Sequence, residues 1–138
     1  MKKNEIYLEM ASNSENESFA RIVVAAFITR LNPTLEQMAD IKTAVSEAVT
    51  NAIIHGYEGG EGIIKLQCRI EGRRILLWIC DDGVGIANLK QAMEPLYTTR
   101  PEWERSGMGF TFMETFMDHM EVDSSPGEGT RIYLTKEL

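Results

Sequence analysis

The chain has 138 residues, 43% of them hydrophobic and 25% charged, with a formal net charge of −7. That size suits one domain with a core large enough to need no disulfide staples. The absence of any run near 18 apolar residues argues against a membrane span, and the acidic balance without a Lys/Arg cluster argues against direct nucleic-acid binding.

The N-terminus carries no apolar stretch of the signal-peptide kind, so a cytoplasmic protein is expected. Ile6, Leu8 and Met10 alternate with polar neighbours and predict an opening strand. Ser14 and Glu17 have the spacing of a capping box, and Phe19, Ile22, Val23, Ala26 and Phe27 continue at helical spacing. Asn32-Pro33 should end that helix, because the residue before proline avoids the helical region. Thr34 and Gln37 form a second capping box, opening a helix expected to run to about His55 with Gly56 as its stop.

Residues 58–62 are glycine-rich and read as a loop. Ile64, Leu66, Cys68 and Ile70 alternate with polar residues, Gly72 sits in a hairpin turn, and residues 75–80 form an almost unbroken apolar run expected to be a strand buried on both faces. Residues 87–106 show weak periodicity and two prolines, as an active-site lid would. Phe110, Met113, Phe116 and Met117 mark another helix. Met120 and Val122 begin a strand, Ser125-Pro126-Gly127 turns, and Ile132 and Leu134 form the last strand. Cys68 and Cys80 read as buried thiols. The expected architecture is a single-domain α+β two-layer sandwich over residues 1–138, its sheet mixed but largely antiparallel and covered by helices on one face.

Three local patterns carry chemistry. Glu47, Asn51 and His55 follow at four-residue steps. Each step turns roughly 40° on a helix, so the three share a slanting stripe. From spacing alone a solvated polar face is the stronger reading. As a site, Asn51 offers an amide oxygen suited to magnesium, and Glu47 a carboxylate able to orient or deprotonate a hydroxyl. Asp81-x-Gly83-x-Gly85 ends a buried strand; it is either a glycine turn with a capping aspartate or an acceptor for an exocyclic amine approached closely by backbone. Gly107-x-Gly109 directly precedes a helix, where backbone N–H groups favour phosphate, with Arg100 and Arg105 nearby. Gly129-Thr130 opens the last strand and is by itself a structural pattern. Neither a dinucleotide-binding G-x-G-x-x-G nor a P-loop is present.

Taken as a set and in this order, Glu47-x-x-x-Asn51, Asp81-x-Gly83-x-Gly85, Gly107-x-Gly109 and Gly129-Thr130 resemble the GHKL superfamily of ATP-binding domains over nearly the whole chain. Residues 14–21, 47–56 and 104–110 further resemble the sporulation anti-sigma F factor family, whose members are small serine kinases. The resemblance implies the GHKL (Bergerat) fold, ATP or ADP with Mg2+ as cofactors, and a homodimer. It also implies binding to the sporulation sigma-F factor, with phosphorylation of an anti-anti-sigma factor on serine. Residue by residue it implies Asn51 as the magnesium ligand, Glu47 as catalytic base, and Asp81 with Thr130 at the adenine. Gly83, Gly85, Gly107 and Gly109 would shape the nucleotide pocket, and Thr98, Thr99 and Arg105 would close the lid on the phosphates. Arg21 would lie on the surface offered to the protein partners. A gyrase-type ATPase would require a following transducer domain. A histidine-kinase catalytic domain would require a separate phosphoacceptor hairpin. Neither is expected here.

Overall fold

A computed structural model describes residues 3–94 and 108–138. The elements run β1 (Lys3–Ala11), α1 (Glu15–Ile28), a 3-10 turn (Thr29–Leu31), α2 (Leu35–Asn51), a π-helical turn (Ala52–Gly56), β2 (Ile63–Glu71), β3 (Arg74–Asp81), a single turn α3 (Leu89–Ala92), α4 (Gly109–Phe116), β4 (His119–Ser124) and β5 (Thr130–Glu137).

The expected two-layer α+β sandwich is present. Its five strands are ordered β1-β2-β3-β5-β4, and all four pairings are antiparallel. Among the described residues the parallel component of a mixed sheet is therefore absent. The physical reason is the β4–β5 hairpin: β3 and β4 run the same way, but β5 inserts between them and pairs with both.

Alternation then decides the two faces. Ile64, Leu66, Cys68 and Ile70 of β2, Ile75, Leu77 and Ile79 of β3, and Ile132 and Leu134 of β5 are buried against the helices. In α1, Ala20, Val24, Phe27 and Ile28 meet them; in α2, Ile41, Ala44, Val45, Ala48 and Val49 do. These are the i, i+3, i+4 and i+7 positions of an amphipathic helix. α2 packs against both α1 and α4 and so forms the middle of the helical layer. Lys136 ties the layers together: its Nζ donates to the Phe116 carbonyl at 2.7 Å, at the end of α4, and lies 3.9 Å from an Asp40 carboxylate oxygen on α2.

Among the described residues no helix covers the other sheet face, so the expectation that β3 is buried on both sides holds only in part: Leu76 is buried on that face. Trp78 and Cys80 are half-buried there. Trp78 is shielded by Tyr133 at a ring-centroid distance of 5.0 Å and by the Arg69 guanidinium 5.1 Å from its centroid. Arg69 also donates to Glu5 at 2.8 Å, which holds the Glu5 carboxyl below its ordinary pKa.

The helix ends separate two capping boxes that look alike in sequence. At α2 both halves form, with Gln37 N–H donating to Thr34 Oγ1 at 3.0 Å and Thr34 N–H to Gln37 Oε1 at 2.9 Å. At α1 the Ser14 box does not form, because Ser14 already has helical φ and ψ and its hydroxyl makes no capping bond. Asn13 takes the role, its Oδ1 accepting from Glu15 N–H at 2.9 Å. After Leu31, Asn32 turns into the left-handed region at φ 51°, which lets Pro33 lead into α2.

Candidate functional site

The site begins where α2 stops being an α-helix. Asn51 is its last residue and is buried at 9% exposure. Among the described residues its side-chain amide has no hydrogen-bond partner. The amide is not sealed away unsatisfied, since among the described residues the buried side-chain polar atom without a partner is Ser12 Oγ; an amide open at a helix end can serve as a ligand group. Glu47 lies one regular helical turn earlier. Over Ala52–Gly56 the backbone widens to a π-turn, closed by Tyr57 N–H donating to the Ala52 carbonyl at 2.9 Å. Such turns are rare and favour functional positions. The wider turn also breaks the regular spacing that would keep His55 on the stripe of Glu47 and Asn51.

Gly56, expected only as a helix stop, lies directly against the Asp81 carboxylate. A Cβ there would stand 2.7 Å from Asp81 Oδ1. The Gly56 carbonyl accepts from Val84 N–H at 2.9 Å, and a Cβ on Gly83 would collide with that same Gly56 carbonyl. The glycines of the Asp81-x-Gly83-x-Gly85 loop are thus spaced to let the end of α2 lie on it. Gly85 has φ +75° and abuts the Ser125 carbonyl, while Gly129 has φ +76° and abuts the Asp81 carbonyl. Any side chain at either position would meet both a strained backbone and a collision.

Asp81 is 6% exposed. Its Oδ1 accepts from Gly83 N–H at 2.9 Å. Burial raises its pKa above the ordinary aspartate value, and the neighbouring Asp82 charge adds to this; the Gly83 and Thr130 backbone N–H groups pull it back. Thr130 faces Asp81 directly across the β3–β5 ladder and is 3% exposed. Tyr57 braces the outer side of the loop. Its hydroxyl donates to the Ile63 carbonyl at 2.5 Å and accepts from Asp82 N–H at 2.8 Å.

The structure thus brings Asn51, Gly56, Asp81, Gly83, Gly85 and Thr130 to one end of the sheet, where α2, β3 and β5 meet. Gly109 opens α4, which packs against α2. Thr98, Thr99, Arg100, Arg105 and Gly107 lie outside the described residues. Arg21 is set apart on α1, 37% exposed by side chain, 3.7 Å from Glu17 and 3.4 Å from Ser46 Oγ. Tyr57 and Ser124 escape a sequence reading, as does the contact of Gly56 with Asp81. Each matters through a neighbour distant in sequence, and no spacing rule reports such pairs. Cys68 is buried as expected, its thiol pushed up to about 12 by desolvation, whereas Cys80 is only half-buried, on the open sheet face.

The family model for histidine kinase-like ATPase domains matches residues 10–136. Proteins named anti-sigma F factor align over almost the full length. The one from Clostridium kluyveri is 57% identical over 136 residues, covering 99% of this chain and 96% of its own length. That from Clostridium novyi is 58% identical, covering 100% and 97%; that from Bacillus licheniformis is 57% identical, covering 99% and 94%. The chain belongs to the anti-sigma F factor family. Its domain is accordingly of the GHKL ATPase and kinase type. Among solved structures, the mycobacterial sensor histidine kinase MprB superposes with a TM-score of 0.57 at 15% identity, covering 96% of this chain and 100% of that one. That likeness extends the fold of the family to a distant sequence. Among the described residues, no helix is long and apolar enough to cross a membrane.

Proposed function

We propose that this chain is a single-domain, cytoplasmic anti-sigma factor and serine-protein kinase. It binds the sporulation sigma-F factor and uses Mg-ATP to phosphorylate an anti-anti-sigma factor on serine. The observation that carries the nucleotide reading is the buried, backbone-held carboxylate of Asp81 packed beneath the Asn51-bearing end of α2. The names of the relatives support the protein partners.

In this reading Asp81 and Thr130 receive the adenine amine, while Gly83 and Gly85 let backbone lie against the base. Asn51 supplies one oxygen to magnesium, and its unclaimed amide fits that task. Among the described residues no three acidic, His or Cys side chains cluster to cage a metal, and magnesium sharing one protein oxygen with phosphates and water needs no cage. When bound, magnesium would neutralise phosphate charge during transfer. Gly109 opens α4, where backbone N–H groups favour phosphate; by the family resemblance Gly107 would share that role, and Thr98, Thr99 and Arg105 would serve as lid contacts to the phosphates. Glu47 takes the proton of the partner's serine hydroxyl as that oxygen bonds to the γ-phosphorus and the bond to ADP breaks. Arg21 contributes to the partner surface. The exposed Tyr7 on β1, with Phe19 and Ile22 on α1, are candidates for the homodimer contact.

Incubation of the purified chain with labelled Mg-ATP and the candidate anti-anti-sigma protein tests this reading. Phosphoserine on the partner is expected. Free phosphate without partner labelling would point to an ATPase instead, and neither product to a nucleotide-dependent binding switch. Glu47→Gln should bind ATP normally and transfer nothing; full transfer would remove Glu47 from the base role.

A further inference from the structure

Ser124 belongs to none of the motifs above, yet it completes a row of polar side chains at the site. Register sets Asp81 of β3, Thr130 of β5 and Ser124 of β4 side by side. All three continue the helix-facing alternation of Ile79, Ile132 and Val122. The Ser124 hydroxyl accepts from Ile86 N–H at 2.8 Å, donates to the Gly129 carbonyl at 2.8 Å, and stands 2.8 Å from Thr130 Oγ1.

Proton counting resolves that last contact. A serine hydroxyl has one hydrogen, and a carbonyl oxygen has none to give. The Ser124 hydrogen therefore goes to Gly129, and the short contact to Thr130 must be made with the threonine's hydrogen. The alternative would press two lone-pair oxygens together at 2.8 Å. With its hydrogen committed, the Thr130 hydroxyl has only lone pairs left for a ligand. Asp81 beside it, as a carboxylate, likewise only accepts.

We propose that Ser124 is a specificity-determining residue of the nucleotide site: by engaging the hydrogen of Thr130 it leaves Asp81 and Thr130 as paired acceptors, which select a 6-amino purine over a 6-oxo purine. The inference rests on the adenine-nucleotide reading above. A 6-amino group brings two hydrogens to this pair, directly or through a water. A 6-oxo group brings an oxygen, which the same two acceptors repel. Ser124 also holds the Ile86 and Gly129 backbones, so the loop after β3 and the turn before β5 move as one piece.

The test compares Mg-ATP with Mg-ITP, whose base carries oxygen at C6, by calorimetric titration of the whole chain. Folding of each variant is checked by circular dichroism. Wild type should prefer ATP. In Ser124→Ala the Thr130 hydroxyl regains a free hydrogen to offer O6, and the ATP-to-ITP affinity ratio should fall about tenfold, the effect of about one hydrogen bond. Ser124→Thr, which keeps the hydroxyl, should keep the ratio. Adding Thr130→Val to Ser124→Ala should abolish the gain in ITP binding. Ser124→Cys preserves volume with only a weak hydrogen-bonding group and should shift the ratio in the same direction as alanine. Equal weakening of both nucleotides in Ser124→Ala, with the ratio unchanged, would reduce Ser124 to a structural residue. Equal affinity of the wild type for ATP and ITP would overturn the selectivity claim alone. A wild type that binds neither ATP nor ADP would instead sink the nucleotide reading on which it rests.

Discussion

Asp81→Asn separates binding from folding, because it should weaken ATP binding while costing the fold little. Asparagine keeps the volume, and its amide oxygen can still accept from Gly83 N–H, now at 2.9 Å from Asp81 Oδ1. The NH2 group then replaces the second carboxylate oxygen and faces the adenine amine, donor against donor. Losing one hydrogen bond to a charged acceptor costs about 1.5–3 kcal/mol. This corresponds to roughly 10- to 150-fold weaker ATP binding. The fold should lose little, because burial already disfavours the charged form of Asp81.

The pH dependence follows from the same shift. The folded-state pKa lies above the ordinary value of 3.8. Between the two values the folded state holds more protons than the unfolded chain, so stability falls as pH rises through that window. The wild type should therefore lose stability relative to Asp81→Asn from pH 3.8 upward, until the folded pKa is passed, and stay level above it. Calorimetric titration with ATP and urea unfolding across this range measure both halves. Unchanged ATP affinity would leave Asp81 a turn residue only. A stability difference independent of pH would refute the buried titration.

Three further outcomes follow from contacts around the site. Tyr57→Phe removes a donor to Ile63 and an acceptor for Asp82. It should cost about 1–3 kcal/mol of stability and speed hydrogen exchange at the Asp82 amide; unaltered exchange there would show that the brace is idle. Gly129→Ala places a methyl against the Asp81 carbonyl at φ +76°. It should destabilise by more than about 1 kcal/mol, whereas the same change at Gly127, which meets nothing within 4 Å although its φ is +78°, should cost less, as read by thermal melting. At pH 8 the half-buried Cys80 should react with a thiol reagent well before Cys68, whose pKa is near 12; faster loss of Cys68 would contradict the packing of β2.

The sequence by itself determined the periodic parts. Alternation in residues 64–70 named a strand and its buried side, helical spacing named α1 and α2, and the Thr34 box named a helix start that forms as read. It also determined the family, because motif order along a short chain is far more specific than any motif alone. Tertiary structure decided what depends on neighbours distant in the chain. Nothing local distinguishes the Ser14 box from the Thr34 box; the path of the chain out of β1 gives the cap to Asn13. The apolar run of β3 cannot say whether one or two faces are covered. Among the described residues the sheet has helices on one side only, and Trp78, Tyr133 and Arg69 shield the other. Gly56 reads as a stop signal, but its smallness matters because Asp81 lies 25 residues on and 2.7 Å from where its Cβ would be. Ser124 acquires a role only because β5 inserts between β3 and β4 and carries Thr130 to its side. Periodicity reports which side of an element is buried. Which atoms meet there is fixed by register and topology, and it is at those meetings that the hydrogen bonds of the site are decided.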